Sequence, residues 1–561
     1  MKFRGFLRKV KIPTWLVWLG LSVLFGTAMY LLMYGRFRLY FGHVNWIYSI
    51  GRDPLQHQLG WEFFRNEPWK FPLGSIESYG YPIGTSIFYL DSIPLFAFFF
   101  KLFSPWLGSQ FQYFGIWELA NLIGQIFVGI LILNEFSRSK GVNTLGGVLL
   151  ALSPIMINRA FFHSSLSAHW IILLAIWFII LEWRGKMRRW FWFALFGLAM
   201  LVHLYYIPML IPLWLIGSIF RVKNEHKIGR VFLELLVIII ICCGIGFCLG
   251  MFEIGFSQLS EKGFGDYSWN LNGFVNSMGN SIFFKALPLA GEDQGEGFSY
   301  LGAGYIGILL VGAFLFFIKA NSRKNWKLFL PFMLVAIGFG LFALSNKAFF
   351  GENPLWSIDL SAGIQTVANT FRSSARFIWP VFYFLVLFGL ISVVRNGQRI
   401  AIPLLLVAIA AQAYDLHPLY AQKRSAGFEE YYAGGMRSEF WQLAAETNRH
   451  IVIIPTEYYE HIVLYGAHHN MTVNSGYFGR ADYQAMEDLA TKTWDDLRNG
   501  TADQNTLYIL SETEYMTTAR EQLAEKMYVC EIDDYVVLFS KESALVHKGF
   551  NFLDHCKFPG N

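Results

Sequence analysis

Long apolar runs separated by short polar breaks fill the first three quarters of the chain, and this pattern stops near residue 417. Read at about 20 residues per crossing, the runs fall near 13–34, 113–133, 144–159, 168–182, 190–203, 206–220, 231–252, 302–318, 328–345, 376–394 and 400–416. Some are short, so those at 144–182 and 190–220 read as hairpins, with tips at Asn158–Ala168 and His203–Tyr206. Beyond 417 the rhythm changes to short β-type runs between amphipathic stretches. Strands are expected at 450–455, at 471–477, at 506–511 and as a pair in 528–540 around Asp533–Asp534. Helices are expected near 457–467, 483–499 and 514–527. The expected fold is a polytopic α-helical membrane protein of about eleven spans, residues 1–416, carrying a C-terminal α/β domain, residues 417–561.

Composition supports this division. Only 15% of the 561 residues are charged and 54% are hydrophobic, against about 25% charged in a soluble domain. The tail holds 12 Lys and Arg against 21 Asp and Glu, whereas residues 1–416 hold 33 against 19. A basic membrane body therefore precedes an acidic, soluble tail. The basic residues form no continuous stripe, which excludes a nucleic-acid binder. They cluster at Lys2–Lys11, Arg138/Lys140, Arg184–Arg189, Arg221–Arg230, Lys319–Lys327 and Arg395/Arg399. With all six clusters cytoplasmic, each stretch between them crosses twice. The N-terminus is then inside, on a retained signal-anchor helix, and residues 35–112, 253–301, 346–375 and the tail are outside. Plasma (inner) membrane is the expected location, with the tail periplasmic or extracellular. Cys242, Cys243 and Cys248 read as packing residues, and Cys530 and Cys556 could pair if the tail meets an oxidising compartment.

The first external loop carries the most chemistry. Asp53 lies just past the outer end of the first span, and Trp61–Trp69 is aromatic and amphipathic, as interfacial segments are. The 87–103 stretch reads as a second interfacial or half-buried helix. Asp53 is either a used carboxylate or a turn residue before Pro54, paired with Arg52 or Arg65. With His57 it has i,i+4 spacing, which allows a weak divalent-cation site, although two ligands do not make one. Asp91, before Pro94, is either a helix-start residue or a second carboxylate facing the same cavity. Arg159, His163 and His169 at a hairpin tip are either exposed loop polarity or headgroup contacts. Glu292, Asp293 and Glu296 are either a solvated loop or a lid or cation site. In Phe371–Arg372–Ser373–Ser374–Ala375–Arg376–Phe377 the two arginines are four apart at the outer start of a span. If Ser373 or Ser374 caps that helix, Arg372 and Arg376 form a phosphate seat with its N-terminus. The bland alternative is a pair of arginines snorkelling to headgroups.

These features together resemble the GT-C superfamily of polytopic glycosyltransferases, which includes the protein mannosyltransferases and the lipid A aminoarabinose transferases. An inside-start helix leads into a long external loop with an early acid, Asp53. Two interfacial segments follow, the second entered through Tyr81–Pro82–Ile83–Gly84, then external-facing helix pairs and a soluble domain. The pattern is closest to an uncharacterised bacterial branch with runs like 371–377. It departs from the acidic pair often found in the first loop, because Asp53 stands between Arg52 and Pro54. The resemblance implies an inverting hexosyl or pentosyl transfer at the outer face, from a polyprenyl-phosphate sugar to an envelope glycan, lipid or protein acceptor. In that reading Asp53 is the base, Asp91 its reserve, and Arg372 and Arg376 bind the donor phosphate. His57, Tyr81, Arg159, His163 and His169 are substrate contacts; no residue is assigned as a metal ligand, and the use of a divalent cation is left open by the departure at Asp53.

Two other functions compete. A lipid or solute transporter would need polar groups deep in the spans, where Glu118 and Glu234 are the main acids, and larger inner loops. A non-catalytic subunit of envelope polysaccharide assembly would need no base at Asp53. The tail lacks a Gly-rich nucleotide fingerprint and is expected to grip the acceptor or to serve assembly.

Overall fold

The computed structural model describes residues 13–225, 228–253, 263–323, 326–427, 436–457 and 459–557. The basic N-terminal cluster, Lys227 and Lys324 lie outside them. The chain divides into two compact units, neither continuous in sequence. The first contains Met1–Tyr40, Tyr113–Cys242 and Glu261–Ser425. The second contains Phe41–Gln112, Cys243–Ser260 and Ala426–Asn561.

Every expected apolar run is helical. In order they are Thr14–Tyr34, Phe114–Asn134, Lys140–Ala151, Trp170–Trp183, Trp190–Val202, Tyr206–Glu225, Ile228–Leu249, Ala303–Ile318, Phe329–Leu344, Ile378–Val394 and Gln398–Asp415. Six helical segments of the described chain are long and apolar enough to cross a membrane, and a bent pair, Gln398–Asp415 with His417–Ser425, makes a seventh. Trp190–Val202, Ala303–Ile318 and Leu330–Leu344 are apolar but shorter. The run expected at 144–159 is broken. Its first part ends at Ala151, and Pro154 opens a separate turn, Pro154–Arg159, because proline has no N–H to continue the ladder.

Close helix approach in the first unit depends on paired glycines. A Cβ on Gly312 would lie 2.6 Å from Gly389 Cα, so the Ala303–Ile318 and Ile378–Val394 backbones touch. Small residues at such contacts are the usual means of packing helices in lipid, where apolar burial gives no advantage. Charges gather at helix ends. Arg221 lies 3.1 Å from Glu182 and 2.7 Å from Glu234, and Arg189 is 3.2 Å from Glu234. Four helices are joined there. Buried Asp415 accepts from Tyr300 Oη at 2.7 Å and from the Ala303 N–H at 2.8 Å, tying the last helix to the start of another.

In the second unit the tail forms a six-stranded mixed sheet. Its order is Cys556–Lys557, Tyr528–Ile532, Tyr535–Phe539, Thr506–Leu510, His450–Ile454 and Thr472–Val473. The last three strands are parallel and the others antiparallel. Helices Glu460–His468 and Tyr483–Arg498 lie near their expected places. The first strand and the helix Glu439–Thr447 lacked a clear sequence signal. Cys530 and Cys556 are register partners and form a disulfide. From the first loop comes the helix Arg52–Asn66, buried from Pro54 to Phe64. The second segment is a helix only over Pro94–Lys101, because Asp91 and Ile93 turn at positive φ (52° and 53°) before Pro94 starts it.

Two predictions follow from these contacts. Labelled with a maleimide-PEG in denaturant, the chain from cells should show three reactive thiols before reduction and five after. Five before reduction would remove the disulfide and, with it, an oxidising environment for the tail. Arg221→Met should lower stability by about 3–5 kcal/mol, the cost of stranding a buried carboxylate. An unchanged melting temperature in detergent would show that the cluster carries no such load.

Candidate active site

Three segments of the first unit converge on one carboxylate. The first is the tip after Pro154–Arg159, where Phe161 turns at φ 66° and a short turn, Ser164–Leu166, leads to the Trp170 helix. The second is the turn Glu292–Gly297, held by amides: Asn270 Nδ2 donates to Gln294 Oε1 at 3.0 Å, and Gln294 Nε2 donates to Ser268 Oγ at 3.2 Å. The third is Ser374–Phe377, a tight 3-10 turn that runs into the Ile378–Val394 helix.

Glu296 is the meeting point. Arg159 Nη1 lies 3.2 Å from its Oε1 and 3.0 Å from its Oε2, and Arg159 Nη2 donates to the Glu296 carbonyl at 2.7 Å. Arg376 donates to Oε2 through Nε at 3.0 Å and Nη2 at 2.8 Å. His163 Nε2 is 3.8 Å from Oε1. Arg159 is 5% and Arg376 11% exposed, so both guanidiniums are largely out of bulk water. Burial opposes ionisation of Glu296, but the Arg159, Arg376 and His163 charges outweigh it and hold the carboxyl well below its usual range. It is therefore a weak base and a strong counter-ion.

Aromatic rings frame the cluster. The Arg159 guanidinium lies 5.5 Å from the Trp379 ring centre, and that of Arg376 lies 4.8 Å from Tyr205. Tyr205 Oη accepts from the Ser373 N–H at 3.2 Å. Behind Trp379, the ring of buried His169 lies 4.6 Å away, centre to centre and tilted by 36°, and its Nδ1 is 2.9 Å from Tyr383 Oη. Tyr383 also meets Ser153 Oγ and Gln125 Nε2, each at 3.0 Å. The two guanidiniums outnumber the one carboxylate, so the cluster can accept an anion with two or more negative oxygens, such as a phosphate.

The sequence-named residues are distributed as follows. Arg159, His163 and Arg376 share Glu296, while His169 sits one layer behind. Arg372 instead lies 5.5 Å from the Tyr267 ring, so Arg159 is the arginine that joins Arg376. No side-chain cap comes from Ser373, and Ser374 Oγ donates to the Ala343 carbonyl at 3.4 Å. Asp53, His57, Tyr81 and Asp91 belong to the second unit. Asp53 is half-buried in the first turn of its helix, with His57 buried on the same helix. The His57 carbonyl accepts from Ser92 Oγ at 2.7 Å. Tyr81 stacks on His450 at 5.0 Å. Among the described residues no group of three His, Cys, Asp or Glu side chains could hold a metal ion. The role of Glu296 was open in the sequence. Its one distinguishing mark is that Gly295 and Gly297 flank it, whereas Glu292 and Asp293 are neighbours.

No curated protein matches the chain. Among solved structures it is similar to the crystal structure of ArnT from Cupriavidus metallidurans in the apo state. The TM-score is 0.50 at 14% identity, covering 92% of this chain and 97% of that one. At that identity the likeness speaks for the fold, which is a GT-C-like multi-pass membrane fold, as the sequence resemblance implied. Residues 440–540 match the model described as DUF6311 C-terminal domain. Residues 23–417 match the model described as Domain of unknown function (DUF6311), and the chain belongs to that family.

Proposed function

We propose that this chain transfers a sugar from a polyprenyl-phosphate donor to an envelope glycan, lipid or protein acceptor at the outer face of the plasma membrane. The observation that carries the reading is the pair Arg159 and Arg376, largely buried and converging on a single carboxylate, in a chain of GT-C-like fold. A polyprenyl phosphate presents its charge at the headgroup plane, where such a pair would bind it. The acceptor oxygen attacks the anomeric carbon, and the bond from that carbon to the phosphate oxygen breaks. The electron pair stays on the phosphate, where the guanidiniums neutralise the growing charge. The acceptor proton passes to a carboxylate, for which Asp53 is proposed and Asp91 is the reserve. Glu296 is a poor candidate for that step, because its low pKa makes it reluctant to take a proton. The Cys530–Cys556 bond supports an extracytoplasmic tail. Arg372, His57, Tyr81, His163 and His169 remain proposed contacts for donor or acceptor.

Glu296 holds the arginines until the donor arrives, so donor phosphate and Glu296 compete for them. Glu296→Gln should then lower the donor KM several-fold, and an unchanged or raised KM would contradict that competition. The reading as a whole is tested with purified protein in nanodiscs, offered polyprenyl-phosphate sugars and cell-envelope extracts, with mass spectrometry of the products. Asp53→Asn should abolish transfer while membrane insertion persists. Arg376→Ala should lower kcat/KM by about 10²-fold or more, as loss of a charge-stabilising donor does. Full activity in both variants, or no transfer by the native chain from any donor, would end the reading.

A further inference from the structure

Two cavities lie side by side in the second unit, of about 300 Å³ and about 260 Å³. They share Gln110 and His468 as wall residues. Small-molecule pockets run from roughly 300 to 1,000 Å³, so the pair together has the capacity of one. Glu62 and Asn66 line the first, and Tyr48 and Tyr465 line the second.

The shared wall has defined chemistry. Glu62, 3% exposed, accepts from Tyr48 Oη at 2.9 Å and Gln58 Nε2 at 2.8 Å through Oε1. Its Oε2 lies 3.5 Å from His468 Nε2, and Tyr48 Oη is 3.2 Å from the same nitrogen. Burial disfavours the charged imidazole, but the Glu62 carboxylate prevails and raises its pKa above the ordinary value. The buried Glu62 carboxyl thus faces an imidazole that is one-third exposed. Arg65 keeps its charge and is held in place by neutral acceptors. Its guanidinium donates to Ser104 Oγ at 3.2 Å and to the carbonyls of Ser104, Leu107, Gly108 and Ser109 at 2.9–3.3 Å, so it fixes the loop that forms one wall. The cavity is lined by the carboxylate, guanidinium and imidazoles of Glu62, Arg65, His468 and His469, rimmed by the exposed amides of Asn66, Gln110 and Asn470, with Tyr48 and Tyr465 in its wall. The walls offer a carboxyl oxygen, an imidazole nitrogen and side-chain amides, acceptors and donors side by side. A hydroxyl, which donates and accepts at once, suits both. The ring C–H faces of a sugar suit the tyrosines.

We propose that this double cavity is a binding subsite for a short neutral saccharide, with Glu62 and His468 gripping its hydroxyls and Gln110 bridging the two chambers. As the seat of the acceptor it rests on the transfer reading above; as a saccharide site it stands on the cavity alone.

The test is saturation-transfer NMR on the full chain in nanodiscs, with D-glucose, D-mannose, D-galactose and N-acetyl-D-glucosamine as separate probes. At least one should give a saturable signal. Glu62→Gln and His468→Ala should each weaken it at least ten-fold, and Gln110→Ala by less, with elution profile and melting temperature kept. His468 and Gln110 are exposed, so their variants report even if Glu62→Gln fails to fold. Three results would each overturn the site: no binding by any probe, native-like binding in both the His468 and Gln110 variants, or displacement of the sugar by millimolar inorganic phosphate. Sugar binding that depends on His468, in a chain that transfers nothing, would uphold the site and remove the transfer reading instead.

Discussion

A partly buried carboxylate placed between two largely buried guanidiniums ties together three segments of the first unit. Glu296, Arg159 and Arg376 come from segments more than 75 residues apart in sequence, at separations of 137 and 80. In water each contact would be weak, but in a low-dielectric setting the three charges cannot be separated cheaply. The tip after Arg159, the Glu292–Gly297 turn and the head of the Ile378 helix are therefore held as one object. In the proposed function an incoming anion would gain the arginines by replacing the charge that Glu296 supplies, which would link what holds the cluster together to what it binds.

The same economy of charge recurs away from the cluster. Arg221 sits between Glu182 and Glu234, and Asp415 caps the start of the Ala303 helix while receiving a tyrosine hydroxyl. Charged groups near apolar helices are tolerated because each has a partner. Aromatic side chains, 18% of the chain, serve two purposes. They fill space between helices, and at Trp379 and Tyr205 they lie against guanidiniums.

In the second unit, the two edges of the tail sheet are handled differently. At one edge the short strand Cys556–Lys557 is fastened by the disulfide to its neighbour. At the other, Val473 bridges to the first loop: its N–H donates to the Ser78 carbonyl at 2.9 Å and its carbonyl accepts from Gly80 and Tyr81. An uncovered edge would invite pairing with other chains. This stitching also brings Glu62 of the loop to His468 of the tail, residues 406 apart, which is why the cavity between them needs both parts of the chain.

Apolar periodicity by itself determined the helices of the first unit, because burying or immersing a run of twenty apolar residues has one satisfactory backbone solution. Short apolar runs likewise located the tail strands at His450–Ile454, Thr506–Leu510 and Tyr528–Phe539, and the amphipathic stretches between them located the helices. The breaks at Pro154 and Pro94 fall inside runs read as continuous, and the positive φ angles at Asp91 and Ile93 that keep 87–93 out of the helix depend on tertiary context. Partner choice was decided only in three dimensions. The i,i+4 rule that would place Arg372 beside Arg376 applies within an α-helix, and the helix begins at Ile378, after a tighter turn that sends the two side chains to different neighbours. Glu296 looked like one acid among three in a glycine-rich loop. Its pairing depends on loop amides and distant arginines whose separation along the chain leaves no periodic trace.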